Sequence, residues 1–204
     1  DNEYAMRTFE KVLELEPRIT RARFFLALTL FESENYEQCA EELRKYLLER
    51  PYDVSALEYR AAALVHLNRL DEARYSMELI LAGKEAAKKN SLQHAWILLL
   101  CGQVEQAQQF ALEAGAYLFA DIIFACNLLE TVPPEERPAI PWDDRFTQDD
   151  VEAESDLFVT SVMNLFGKEP VGGRMLEMLD CIAQTVEFSP ALSLFRGRIF
   201  LAME

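Results

Sequence analysis

The stretch "NYEQCAEELRKYLLERP", residues 35–51, decides the fold. It opens with a turn residue, then apolar Tyr36, two polar residues and small Cys39. "NRLDEARYSMELILAGKE", residues 68–85, repeats the order with Leu70, Asp71, Glu72 and Ala73. Corresponding residues of the two stretches stand 34 apart, and the rest of the chain falls into step with this period. Ala5, Cys39, Ala73 and Ala107 align, as do Ala27, Ala61 and Ala95. Tyr36, Leu70 and Val104 share a place, as do Leu30, Leu64 and Leu98; Pro17 and Pro51 are also one period apart. A period of 20–50 residues is the mark of stacked repeats.

Physical chemistry explains the pattern. Each period holds two antiparallel helices and a tight turn. Small residues sit where two helix axes cross closely, because a larger side chain there would cost roughly 1–3 kcal/mol of overpacking. The apolar residue after the turn plugs the gap within its own pair. Proline after "LELEP" and "LLERP" stops the second helix. Few glycines and prolines (seven and eight) and abundant Ala, Leu, Glu, Arg, Gln and Met fit helices rather than strands.

Charge narrows the function. The chain has 204 residues and a net charge of -15. Residues 103–204 hold 18 acids against six bases. Such a chain repels nucleic-acid phosphates and anionic membrane surfaces. No 18-residue apolar run or signal peptide is present. Cys39, Cys101, Cys126 and Cys181 are scattered, three of them inside apolar helical patterns. They read as reduced, buried thiols of a cytoplasmic protein.

The repeat resembles the tetratricopeptide repeat over residues 1–114. "YEQCAEELRKYLLERP", "LDEARYSMELIL" and "VEQAQQFALEAG" match the second-helix half. "ARFFLALTLFESENY" and "SALEYRAAALVHLNRL" match the first-helix half. Arg23, Ser91 and His94 depart from it, standing where apolar residues are expected. The resemblance implies an all-α, right-handed solenoid of antiparallel helix pairs. Residues 1–130 are expected to form the solenoid. Residues 131–150 would be an acidic, Pro-rich connecting loop, and 151–204 degenerate helices that continue the solenoid, with Gly197 at a small crossing position. "FGKEPVGGRM" reads as a turn between helices. The chain begins with Asp1 and both ends cut through repeats, so it reads as a segment of a longer solenoid.

In this family the first helices line a concave groove. Spacing places Arg21, Phe24, Phe25, Leu28 and Phe31 on that face, then Tyr59 and His66, then Lys89, Gln93 and Trp96. The Lys, Asn and Arg set with which some members clamp a terminal carboxylate is missing. An apolar groove must be covered. A partner peptide or amphipathic helix would cover it, or the chain's own following helices or its "AIPWDDRF" loop; several of these residues would otherwise pack between repeats. In the acidic loop, Trp142 and Phe146 among aspartates form a candidate docking element for a basic partner. The loop also reads as a solvated connection, or as a segment pairing with Arg18, Arg21 and Arg23.

No catalytic pattern emerges. His94 and Cys101 share a helix face, but two ligands do not make a zinc site. Neither a phosphate loop nor a nucleophile elbow is present, and the carboxylates lie on faces that read as solvated. No cofactor and no metal are expected. The expected function is a non-catalytic scaffold binding another protein, with no nucleic acid and no membrane; homo-oligomerisation stays open. The alternatives are a structural subunit held permanently in a larger assembly, and the docking or regulatory segment of a longer enzyme.

Overall fold

The computed structural model describes residues 2–82, 91–137, 145–184 and 189–204, without the side chain of Glu169. Two of the site residues expected above, Lys89 and Trp142, lie outside the described residues. The chain divides into two compact units, Asp1–Lys89 and Asn90–Glu204. Both are helical, and no strand occurs among the described residues.

The first unit comprises α1 (Asn2–Leu15), α2 (Thr20–Glu32), α3 (Tyr36–Leu47), α4 (Val54–His66) and α5 (Leu70–Ala82). Each packs against the next in the chain. Asn35 caps α3 and Asp53 caps α4, each side chain accepting a backbone N–H of the first turn. The aligned small residues Ala27, Cys39, Ala61 and Ala73 are all 0% exposed, as close helix crossings require. Arg23, where an apolar residue was expected, is ion-paired with Glu42 of α3.

The second unit begins with α6 (Ser91–Leu100), α7 (Val104–Glu113) and α8 (Tyr117–Thr131). Helix α9 (Gln148–Phe158) opens on a capping box between Thr147 and Asp150. It runs through a π-helical stretch (Val159–Met163) into a last turn (Asn164–Phe166). Helices α10 (Lys168–Ala183) and α11 (Pro190–Met203) complete the unit. The π-helical stretch packs against α6, and α9 packs against α11. Trp96, Phe119, Phe158 and Phe195 form one aromatic core, with neighbouring ring centroids 5.1–6.2 Å apart. His94 is buried against Phe110, so it serves as a core residue.

The 34-residue period is written in the backbone itself. Glu34, Asn68 and Gly102 all adopt positive φ, at 59°, 56° and 74°. Around each, the next residue's N–H reaches back five residues: Asn35 to Leu30, Arg69 to Leu64 and Gln103 to Leu98. The positive-φ residue's own N–H bonds Phe31, Val65 and Leu99 in turn. This is the Schellman closure, repeated three times in register.

Two expectations from the sequence are corrected. Gly197 is exposed, and a Cβ built on it meets nothing within 4 Å. Helix α11 buries Ala191, Leu192, Phe195 and Ile199 instead, and position 197 lies on the other side of that stripe. "FGKEPVGGRM" is not a simple turn, because α10 already begins at Lys168. Pro170 fits its first turn, where no backbone N–H needs a helical partner. Gly172 lies close against Met203 and Met163, where a Cβ would fall 2.5 Å from Met203 Sδ.

Candidate functional site

The expected groove residues of α2 and α4 sort by burial. Arg21 is exposed, Phe25 is 46% exposed, and Phe24, Leu28, Tyr59 and His66 are half-buried. Phe31 is only 9% exposed and touches Tyr36, Tyr59 and His66, so it belongs to the core. The Tyr36 and His66 rings stack at 4.0 Å, nearly parallel. Tyr36 thus packs against Phe31 of its own pair and also against His66 of the following one. The Phe25 ring is held from two sides, stacked on Phe9 of α1 at 5.9 Å and edged by Phe24.

The start of α2, the end of α3 and the loop before α4 enclose a pocket of about 220 Å³. Arg21, Phe24, Phe25, Tyr46, Arg50 and Asp53 line it. Tyr46 is buried, and its hydroxyl donates to Asp53 Oδ2 at 2.7 Å. Asp53 Oδ1 accepts from the Ala56 N–H at 3.2 Å. Burial raises the Tyr46 phenol above its ordinary pKa, and the bond to Asp53 adds to the rise. Nothing in the spacing marks Arg50, which stands just before the helix-stopping Pro51.

In the second unit the expected residues are engaged internally. Trp96 is 1% exposed and meets Phe158 edge-on at 5.6 Å. Gln93 donates to the Ser161 carbonyl at 2.9 Å. The end of α9 and the π-helical stretch after it therefore cover these two residues, and neither offers a free anchor. Phe146 is half-buried, with the Arg145 guanidinium 5.6 Å from its ring centre. Arg145 also pairs with Asp121 of α8 at 3.2 Å.

Glu154, read in the sequence as solvated, is 7% exposed. Its two oxygens accept the N–H groups of Leu118 (3.0 Å) and Phe119 (2.6 Å), in the first turn of α8. It thus caps a helix 35 residues upstream, at the positive end of the helix dipole. Burial pushes its carboxyl up to about 7; the two N–H groups oppose the rise and Asp121 adds to it. A signal was present: Val151, Glu154, Ser155 and Phe158 follow one helical stripe, and all are buried.

Residues 2–80 match the model of the family described as anaphase-promoting complex, cyclosome, subunit 3. They are tetratricopeptide-type repeats. No curated protein and no solved structure matches the chain significantly. Tetratricopeptide-type repeats build protein–protein interaction scaffolds and are typically non-catalytic. The chemistry around them is quiet. Burial pushes the Cys39 and Cys126 thiols up to about 12, so both are protonated and weakly nucleophilic at neutral pH. Of the four thiols expected to be buried, only Cys39 is fully so; Cys101 and Cys126 are half-buried, and Cys181 lies exposed on α10. Among the described residues no three His, Cys, Asp or Glu side chains are grouped to hold a metal ion. Nor is any described helix long and apolar enough to cross a membrane.

Proposed function

We propose that the chain is a non-catalytic interaction module whose first unit presents the aromatic face of α2 and α4 to a segment of another protein. One observation carries this reading: Phe25, nearly half exposed, is fixed by Phe9 and Phe24 beside a pocket. A large apolar ring held rigid at the surface loses little entropy on binding and suits the role of an anchor. The neighbouring half-buried Phe24, Leu28 and Tyr59 extend that apolar face. Burying it would contribute about 25 cal/mol per Å², less the ordering cost of the segment.

The test is site-specific photocrosslinking in cells. A benzophenone amino acid at Phe25 is expected to capture a partner protein. The same group at Tyr75 on α5, which is 58% exposed, serves as the control. Equal yields of the same adducts from both positions would reject the groove reading.

A second reading has its own support. The family matched over residues 2–80 is, by its description, a subunit of a complex. In that reading the chain is a structural subunit held permanently in an assembly. Co-sedimentation in native lysates at high salt tests it. A stable heavy species favours the subunit reading, and a free chain that takes up a partner reversibly favours the module.

A further inference from the structure

The first unit is laced with ion pairs. Arg7, Arg23, Arg44, Arg60, Arg69 and Arg74 each pair with a glutamate or aspartate. Among the described residues Arg18, Arg21 and Arg50 have no such pair, and all three are exposed. In a chain with 35 acids against 20 bases, these three arginines stand apart from the six that hold an ion pair. Two of the three, Arg21 and Arg50, line the same small pocket, with Phe24 and Phe25 between the helices. The acid in that lining, Asp53, is committed on both oxygens, to the Tyr46 hydroxyl and the Ala56 N–H. Guanidinium groups offer planar forks that match a carboxylate with two parallel hydrogen bonds. The pocket's volume of about 220 Å³ suits one side chain and not a helix.

We propose that the Arg21–Arg50 pocket takes one acidic side chain of an extended partner segment, with a neighbouring aromatic or branched apolar side chain laid on the Phe25 ring. This names the partner chemistry for the protein-binding reading above and rests on it. The partner carries one or two carboxylates rather than an acidic tract. The chain's net charge of -15 repels a polyanion at long range, while a single carboxylate gains the two guanidinium contacts against little repulsion. The same field disfavours a nucleic-acid strand.

Fluorescence anisotropy with the full chain and three capped, labelled Gly/Ser peptides tests the proposal. Their cores are Asp-Phe-Glu, Asn-Phe-Gln and Lys-Phe-Lys. The acidic probe is expected to bind roughly tenfold or more tighter than the neutral one. The Arg21→Gln/Arg50→Gln double variant should bring the acidic probe down to the neutral level. Arg21→Glu/Arg50→Glu should shift the preference to the lysine probe. Phe25→Ala should weaken the acidic and neutral probes alike. Circular dichroism confirms that each variant keeps its helices.

Equal binding of acidic and neutral probes, with loss in Phe25→Ala, would overturn acidic recognition and leave the aromatic-face reading standing. Failure of every probe, or indifference to Phe25→Ala, would overturn both. Displacement of the acidic probe by inorganic phosphate but not by acetyl-aspartate would overturn the proposal in favour of a phosphate ligand.

Discussion

The Glu154 carboxylate accepts the Phe119 backbone N–H at 2.6 Å and ties α9 to the first turn of α8. Its folded pKa of about 7 lies above the ordinary 4.5. The fold therefore favours the protonated form. This contribution is fully present below pH 4.5, and it is lost as pH rises through 7. A shift of this size corresponds to ~3 kcal/mol at most. Urea unfolding is expected to show stability falling from pH 5 to pH 8. Glu154→Gln should flatten that slope, and a slope unchanged in the variant would show that other groups carry it.

Glu34 and Gly102 occupy equivalent turns, both at positive φ. An ordinary side chain in that region costs roughly 1–2 kcal/mol, partly offset by the lower entropy of its unfolded chain. Glu34→Gly should therefore stabilise by about 0.5–1 kcal/mol, and Gly102→Ala should destabilise by a similar amount. A Cβ on Gly102 meets nothing within 4 Å, so sterics with neighbours do not confuse the reading. Thermal melts of both variants check the pair. A stabilising Gly102→Ala would contradict the conformational assignment.

Trp96 and Phe25 should separate cleanly on mutation. Trp96→Ala removes a ring that is 1% exposed and packed on Phe119 and Phe158. It should cost about 3–5 kcal/mol by chemical denaturation. Phe25→Ala removes a ring that is 46% exposed and should cost far less stability. Equal losses would mean that Phe25 is as much a core residue as Trp96.

Ala61 is 0% exposed in the middle of α4. Ala61→Leu adds volume at a helix crossing with no room for it, at a cost of roughly 1–3 kcal/mol. An unchanged melting temperature would show the crossing to be looser than its burial implies.

What the sequence made legible was whatever repeats. Three alanines, a plug residue and a turn at every 34th place are local demands of one hairpin, and each hairpin restates them. Ala27, Ala61 and Ala95 are accordingly all fully buried. What it hid depends on single long-range meetings. Trp96 falls at a groove position by spacing, yet a π-helical turn some 60 residues later closes over its helix. Glu154 looked like one more acid in an acidic stretch, because its partners are backbone N–H groups of another helix. The pocket beside Phe25 was half legible: α2 periodicity found Arg21, whereas Arg50 lies in the loop before α4, off any helical spacing.

The left-handed hinge at residues 34, 68 and 102 has an engineering consequence. A cassette cut after residue 34 and again after residue 68 begins and ends on the same backbone geometry. Its ends are interchangeable seams, so such a module can be duplicated or excised with each new junction closed by hydrogen bonds the protein already makes. Evolution can lengthen or shorten the array by whole units in the same way, without inventing a new turn.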